Sequence, residues 1–279
     1  MIVKHIFNIR QTAKLLLLSL LLSIAACGSA PPRQPSTIEQ AKKVDQEAHR
    51  ALRDGDLMRA REMFNQSMLL QQSLDNISPR TISAINLSSV LHKLGDTDAA
   101  LGLLDGVLAD KSARIPLELR IAAAFRKAII LTDNGRATEA ESALQLAMLE
   151  CNKQCAIAPG INNLHARLTL KSGDFVTALA IAKGVLKSSA EKEEMANAQR
   201  IAGDAATALG QMDAALAHYH GALELDKELA LSSRIVEDLK GIAYVLEKLG
   251  RKLEAEVYTH RAESVATAAS VLTKKPTKK

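Results

Sequence analysis

The sequence predicts an all-α fold of six antiparallel helical hairpins stacked in one solenoid, and three observations predict it. The first is composition. Of 279 residues 47% are hydrophobic but only 3% aromatic, with no Trp, so the core must be built from Ala, Leu and Ile, which favour close-packed helices over β-sandwiches. The second is a repeat: Gly55, Gly95, Gly135, Gly173, Gly210 and Gly250 recur every 37 to 40 residues, a period that marks a helical array. The third is what surrounds each glycine. Five residues after it stands an Ala (Ala60, Ala100, Ala140, Ala178, Ala215, Ala255), seven before it a small residue (Ala48, Ser88, Ala128, Ala166, Gly203, Ala243), and twelve after it Ser67, Val107, Ala147, Val185, Ala222 or Ala262. A glycine ends one helix and takes the positive φ of a tight turn, while small residues on either side let two antiparallel helices approach closely.

Taken in chain order, residues 1–14 carry Lys4, Arg10 and Lys14 and no acid, and residues 15–26 read LLLLSLLLSIAA. That apolar run is too short to span a bilayer comfortably and, with its basic flank, has the form of a secretory signal over 1–26. It ends in Ile24-Ala25-Ala26-Cys27, which resembles the lipobox of bacterial lipoproteins. The resemblance implies that Cys27 takes a diacylglyceryl group and becomes the first residue of the mature chain; Gly28 in place of Asp implies sorting to the outer membrane. An ordinary cleaved signal, with Cys27 incidental, is the alternative. Residues 27–36 hold Pro31, Pro32 and Pro35 and read as an extended tether, which keeps the body near the membrane.

The hairpins follow over 37–272. Ser36-Thr37, with Glu39 and Gln40 behind them, cap the first helix, and its hairpin turns at Gly55. Pro79, Pro116 and Pro159 stand where the first helices of hairpins two, three and four begin, before the turns at Gly95, Gly135 and Gly173. Hairpins five and six turn at Gly210 and Gly250, and after about Leu272 residues 273–279 form a loose basic tail. The formal charge of +5 belongs to the ends, where Lys4, Arg10, Lys14, Lys274, Lys275, Lys278 and Lys279 leave the body between at −2. Such a body has no basic face for nucleic acid.

The repeat resembles the tetratricopeptide repeat (TPR), and Lys93-Leu-Gly-Asp-Thr-Asp-Ala-Ala-Leu101 and the stretch from Leu209 to Asp226 carry the likeness most closely. The repeats are longer than the family's 34 residues and lack its Trp and most of its Tyr. The resemblance implies a right-handed solenoid whose first helices line the concave face. Residues 13, 10 and 6 before each turn share one side of a first helix. Hairpins two and three place Ile82, Ile85, Ser89, Ala122, Phe125 and Ile129 there, beside Asn86 and Arg126. Hairpins four to six place Asn163, Arg167, Asn197, Arg200, Asp204, Glu237, Lys240 and Tyr244 there.

Two readings of this row stand side by side. It is a groove for a protein or peptide, with an apolar anchor beside a hydrogen-bonding stretch, or Ile82, Ile85, Phe125 and Ile129 simply fill a tight core. Chaperone-binding members of the family hold a carboxylate in a basic, Asn-rich clamp. Only Asn86 and Arg126 match that clamp, and Asp45 and His49 break it, which excludes this specificity.

Cys151 and Cys155 are four apart at the end of hairpin three; in an oxidising compartment they are expected to form a disulfide that caps a helix locally, whereas zinc would need companions they lack. No converging catalytic constellation is present, and His218 and His220 point to different sides of a helix. The expectation is therefore a non-catalytic protein without metal, cofactor or small-molecule substrate. It is read as a lipid-anchored scaffold or assembly factor for a protein or peptide partner, on the periplasmic face of a bacterial outer membrane. The alternative is a regulatory lipoprotein of peptidoglycan synthesis or hydrolysis that contacts glycan or enzyme directly.

Overall fold

The computed structural model describes residues 36–110, 112–152 and 155–273. The expected signal, Cys27, most of the tether and the tail beyond Thr273 lie outside them. Twelve helices are present among the described residues: α1 (Ser36–Arg53), α2 (Leu57–Ser73), α3 (Ile77–Lys93), α4 (Thr97–Ala109), α5 (Leu117–Asp133), α6 (Ala137–Cys151), α7 (Ala158–Lys171), α8 (Phe175–Ser188), α9 (Lys192–Ala208), α10 (Met212–Glu228), α11 (Ser232–Lys248) and α12 (Lys252–Thr273). The chain divides inside α1 into two units, Met1–Lys43 and Val44–Lys279. Of the first unit only the opening turns of α1 are described, and the six turns and the helices that follow belong to the second.

Each turn is built the same way. All six pivot glycines have positive φ, between 73° and 90°. At the second turn Gly95 N–H donates to His92 O at 2.9 Å and Asp96 N–H to Leu91 O at 2.9 Å, the crossed pair that closes a helix on a left-handed residue. The next helix then starts at once, because Asp56, Asp96 and Asp174 each accept a bond from a backbone N–H three residues on. In hairpins three and six the same place holds Arg136 and Arg251, which instead clamp Glu139 and Glu254 across the first turn. Pro116 is the N-cap of α5, while Pro79 and Pro159 sit in the first turns of α3 and α7, where no N–H is needed.

The small residues do the packing. All eighteen positions defined by the three offsets are buried, from Ala48 and Ala60 in the first hairpin to Ala255 and Ala262 in the last. With so little side chain between them, α3, α5, α7, α9 and α11 pack on one another in series, whereas the second helices α4, α6, α8 and α10 each rest on the first helix of their own hairpin and of the next. The row in direct contact is the inner row, and the second helices splay outside it. The buried residues form three clusters: one from Ala48 to Leu168, a smaller one from Ala166 to Ala205, and one from Ala206 to Ala262.

Candidate functional site

The inner row divides into two kinds of position. Ten residues before the turns of hairpins two to five, the side chain reaches sideways into the stack. Ile85 is buried, and Phe125 lies over Gly160 at the start of α7, where a Cβ would stand 3.2 Å from the ring. Asn163 is buried and donates through Nδ2 to Glu194 O at 2.9 Å and to Glu194 Oε2 at 2.7 Å, tying α7 to the first turn of α9. Arg200 reaches α10 and α11, donating to Asp226 and, at 3.2 Å, to Asp238, with a further bond to Asn197 of its own helix at 2.6 Å. Lys240, in the last hairpin, has no following first helix and is exposed.

Thirteen and six residues before the turn, the row is more open. Ile82, Asp204, Glu237 and Tyr244 are exposed, and Ser89, Ala122, Ile129 and Asn197 are half-buried. Beside Ile82 and Ile129 lie Asn86 and Arg126, both half-buried. Burial holds the Arg126 guanidinium below its ordinary pKa, opposed by the field of Asp133. It has no ion pair or hydrogen bond among the described residues. Asp133 is itself engaged by its neighbours: His92 Nε2 approaches it at 3.3 Å from α3 and Arg167 Nη2 at 3.4 Å from α7, a strap over three first helices.

At the other end of the row the structure brings in a residue that the sequence pattern does not mark. Tyr219 belongs to α10, in the outer layer, yet its ring passes between α9 and α11. It rests on Gly203 and Gly241, where a Cβ would stand 3.1 Å and 2.5 Å from it. Its hydroxyl donates to Asp204 Oδ1 at 2.5 Å. Although Asp204 as a residue is exposed, partial desolvation of its carboxyl raises its pKa against the opposing pull of this bond and of Arg200, and burial with the Asp204 charge raises that of Tyr219. Around the pair opens a cavity of about 560 Å³ lined by Thr207, Met212, Tyr244 and Lys248, whose ammonium lies 5.2 Å from the Tyr244 centroid. The readable signal was Gly241, a costly residue in mid-helix with no turn to serve.

Cys151 and Cys155 are joined, with Cα atoms 5.1 Å apart, around Asn152 in the left-handed conformation at the end of α6. His218 bonds Gln199 while His220 packs edge-on against Tyr258, so the two serve different neighbours. A second concavity, of about 1070 Å³, lies outside between α2 and α4, floored by Leu87 and Leu91 and walled by Met58, Met63, Met68 and Leu103. No sequence offset pointed to it, because it arises from the splay of the second helices.

No family model matches the sequence, and no curated protein matches it significantly. Solved structures do match the fold. BtubC (BKLC) of P. vanneervenii superposes with a TM-score of 0.60 at 16% identity, over 88% of this chain and 97% of its own. A putative kinesin light chain of Podosopora anserina with nearly identical TPR-like repeats gives 0.54 at 17% identity, over 68% and 96%. The hetero-tetramer Cut9-Hcn1 of the APC/C gives 0.64 at 18% identity, over 81% of this chain and 40% of that one. At such identities the likeness is one of fold, and the chain folds as a right-handed solenoid of six TPR-like hairpins.

Proposed function

We propose that the inner helix row binds a segment of another protein, and that the chain is a non-catalytic scaffold or assembly factor. The observation that carries this reading is Arg126. A half-sunk guanidinium that feels Asp133 but has no hydrogen bond or ion pair among the described residues, flanked by exposed Ile82 and half-buried Phe125 and Ile129, is prepared to take a carbonyl or carboxylate from an incoming chain while apolar side chains seat beside it. The sequence supports the rest of the proposal: Cys27 is the lipid acceptor, and the solenoid is held at the periplasmic face of a bacterial outer membrane.

Because Phe125 packs on Gly160, the clean probe is Ile82. A photo-crosslinking residue at Ile82 in the native host is expected to capture a discrete partner, with capture reduced at least tenfold in Arg126→Ala at an unchanged melting curve. The same probe at Met58 on the outer face is the control. Equal capture at both positions, or capture indifferent to Arg126→Ala, overturns the inner-row reading. Metabolic palmitate labelling that is present in the wild type and lost in Cys27→Ala supports the anchor, and an unlabelled wild type removes it.

A further inference from the structure

Hairpins five and six meet over a buried charge cluster whose count does not balance. Asp226 on α10 and Asp238 on α11 are fully enclosed, and one guanidinium, that of Arg200 on α9, serves both. Asp226 Oδ1 and Asp238 Oδ2 receive no hydrogen bond among the described residues. The other charged or titratable groups that face the cluster are Asp204 on α9, Tyr219 on α10, and Glu237 and Arg234 on α11; Glu237 lies 4.0 Å from Arg200 but is paired with Arg234 at 2.8 Å. Arg234 feels the Asp226 charge but is largely exposed and forms no hydrogen bond or ion pair with either aspartate among the described residues, so none of these groups supplies a second buried cation. Two enclosed carboxylates bonded to one guanidinium leave an excess negative charge that the exposed Arg234 offsets only from a distance, and a protein interior tolerates such a charge poorly.

We propose that a single proton held between Asp226 and Asp238 completes this cluster and acts as a pH-dependent latch that docks the sixth hairpin onto the fifth. With the proton in place, one carboxyl donates to the other, both orphan oxygens are satisfied, and Arg200 faces one net negative charge. Without it, two carboxylates repel each other across α10 and α11. Asp238 titrates well above an ordinary carboxyl, at about 7, because it is buried and close to Asp226, and Arg200 only partly offsets this. The direction of the effect follows. The docked hairpin holds the proton where an undocked chain has lost it, so the latch contributes fully below about pH 4, weakens as the pH climbs, and contributes nothing above about pH 7. Since Asn197 and Arg200 belong both to this cluster and to the inner row, the latch also sets the shape of the polar end of that row.

The test is native-state hydrogen exchange of α11 and α12, corrected for intrinsic rates, between about pH 5 and pH 8, with α3–α5 of the same molecule as the internal reference. In the wild type, opening of hairpin six relative to the reference is expected to increase by up to tenfold per pH unit until about pH 7 and then level off. In Asp238→Asn the amide donates to Asp226 while its oxygen accepts from Arg200, so the slope disappears and the hairpin at pH 8 is at least as protected as in the wild type. Infrared difference spectra should show a protonated-carboxyl band in the wild type at pH 5 that Asp238→Asn lacks. Equal pH slopes in the two proteins, a flat wild-type profile, or absence of the band each overturns the latch. If Asp238→Asn does not fold, Asp226→Asn takes its place, and the wild-type slope and band decide on their own.

Discussion

At Gly241 a single methyl group separates two packings. The Tyr219 ring is held between α9 and α11, so a Cβ placed 2.5 Å from it forces the ring or α11 to shift. Gly241→Ala is therefore expected to lower stability by about 1–3 kcal/mol, the range for overpacking. The same exchange at Gly102 in α4 meets open space, with no atom within 4 Å of the new Cβ. There only the helix preference of Ala over Gly is left, and Gly102→Ala is expected to stabilise by about 1 kcal/mol. Urea denaturation of the two variants checks the pair, and the opposite signs are the point: equal signs would mean that the slot around Tyr219 is looser than described. Arg200 shows the limit of reading residues by offset. The i, i+3, i+7 rule gathered Asn197, Arg200 and Asp204 on one side of α9, but it does not say whether that side looks into a groove or into the next helix. Asp204 stays at the open edge of the row and accepts the Tyr219 hydroxyl, whereas Arg200 is drawn inward by Asp226 and Asp238.

The helices and their turns were legible almost throughout, because they depend on local backbone chemistry. A glycine that must be left-handed, an Asp that caps, and a proline that tolerates only the first turn each carry their instruction within four residues. Two junctions between hairpins repeat the turn geometry without a glycine, at Asp75 (φ 51°) and Ala230 (φ 55°). Ala230 N–H donates to Lys227 O at 3.1 Å and Leu231 N–H to Asp226 O at 3.0 Å, as at the glycine turns. Asp tolerates this conformation, while Ala pays about 1–2 kcal/mol for it, of which the greater unfolded freedom of Gly returns part. Ala230→Gly is thus expected to raise stability by about 0.5–1 kcal/mol, as read by the midpoint of urea unfolding. What the sequence did not reveal at this scale is the outer trough between α2 and α4, since its width is set by how far second helices splay and no residue pattern encodes that angle. Tyr219 was hidden for a related reason: a residue assigned by pattern to the outer layer does its work in the inner one.

Across the whole molecule stability is shared between neighbours, as in any stack whose repeats touch only those beside them. The largest buried cluster joins hairpins one to four from Ala48 to Leu168, and the two that follow are smaller. Amide protection is accordingly expected to be highest in α3 to α6 and to fall toward α12, which among the described residues has a packed neighbour on one side only. Exchange monitored by mass spectrometry at one pH checks the gradient, and greater protection in α11 and α12 than in α5 would contradict it. The threaded tyrosine adds a rule about time. During synthesis α10 emerges before α11, so Tyr219 has its Gly203 wall but must wait for Gly241 to close the other side. The fifth hairpin therefore cannot finish folding until the sixth has been made, and the last two repeats reach their native state as a pair.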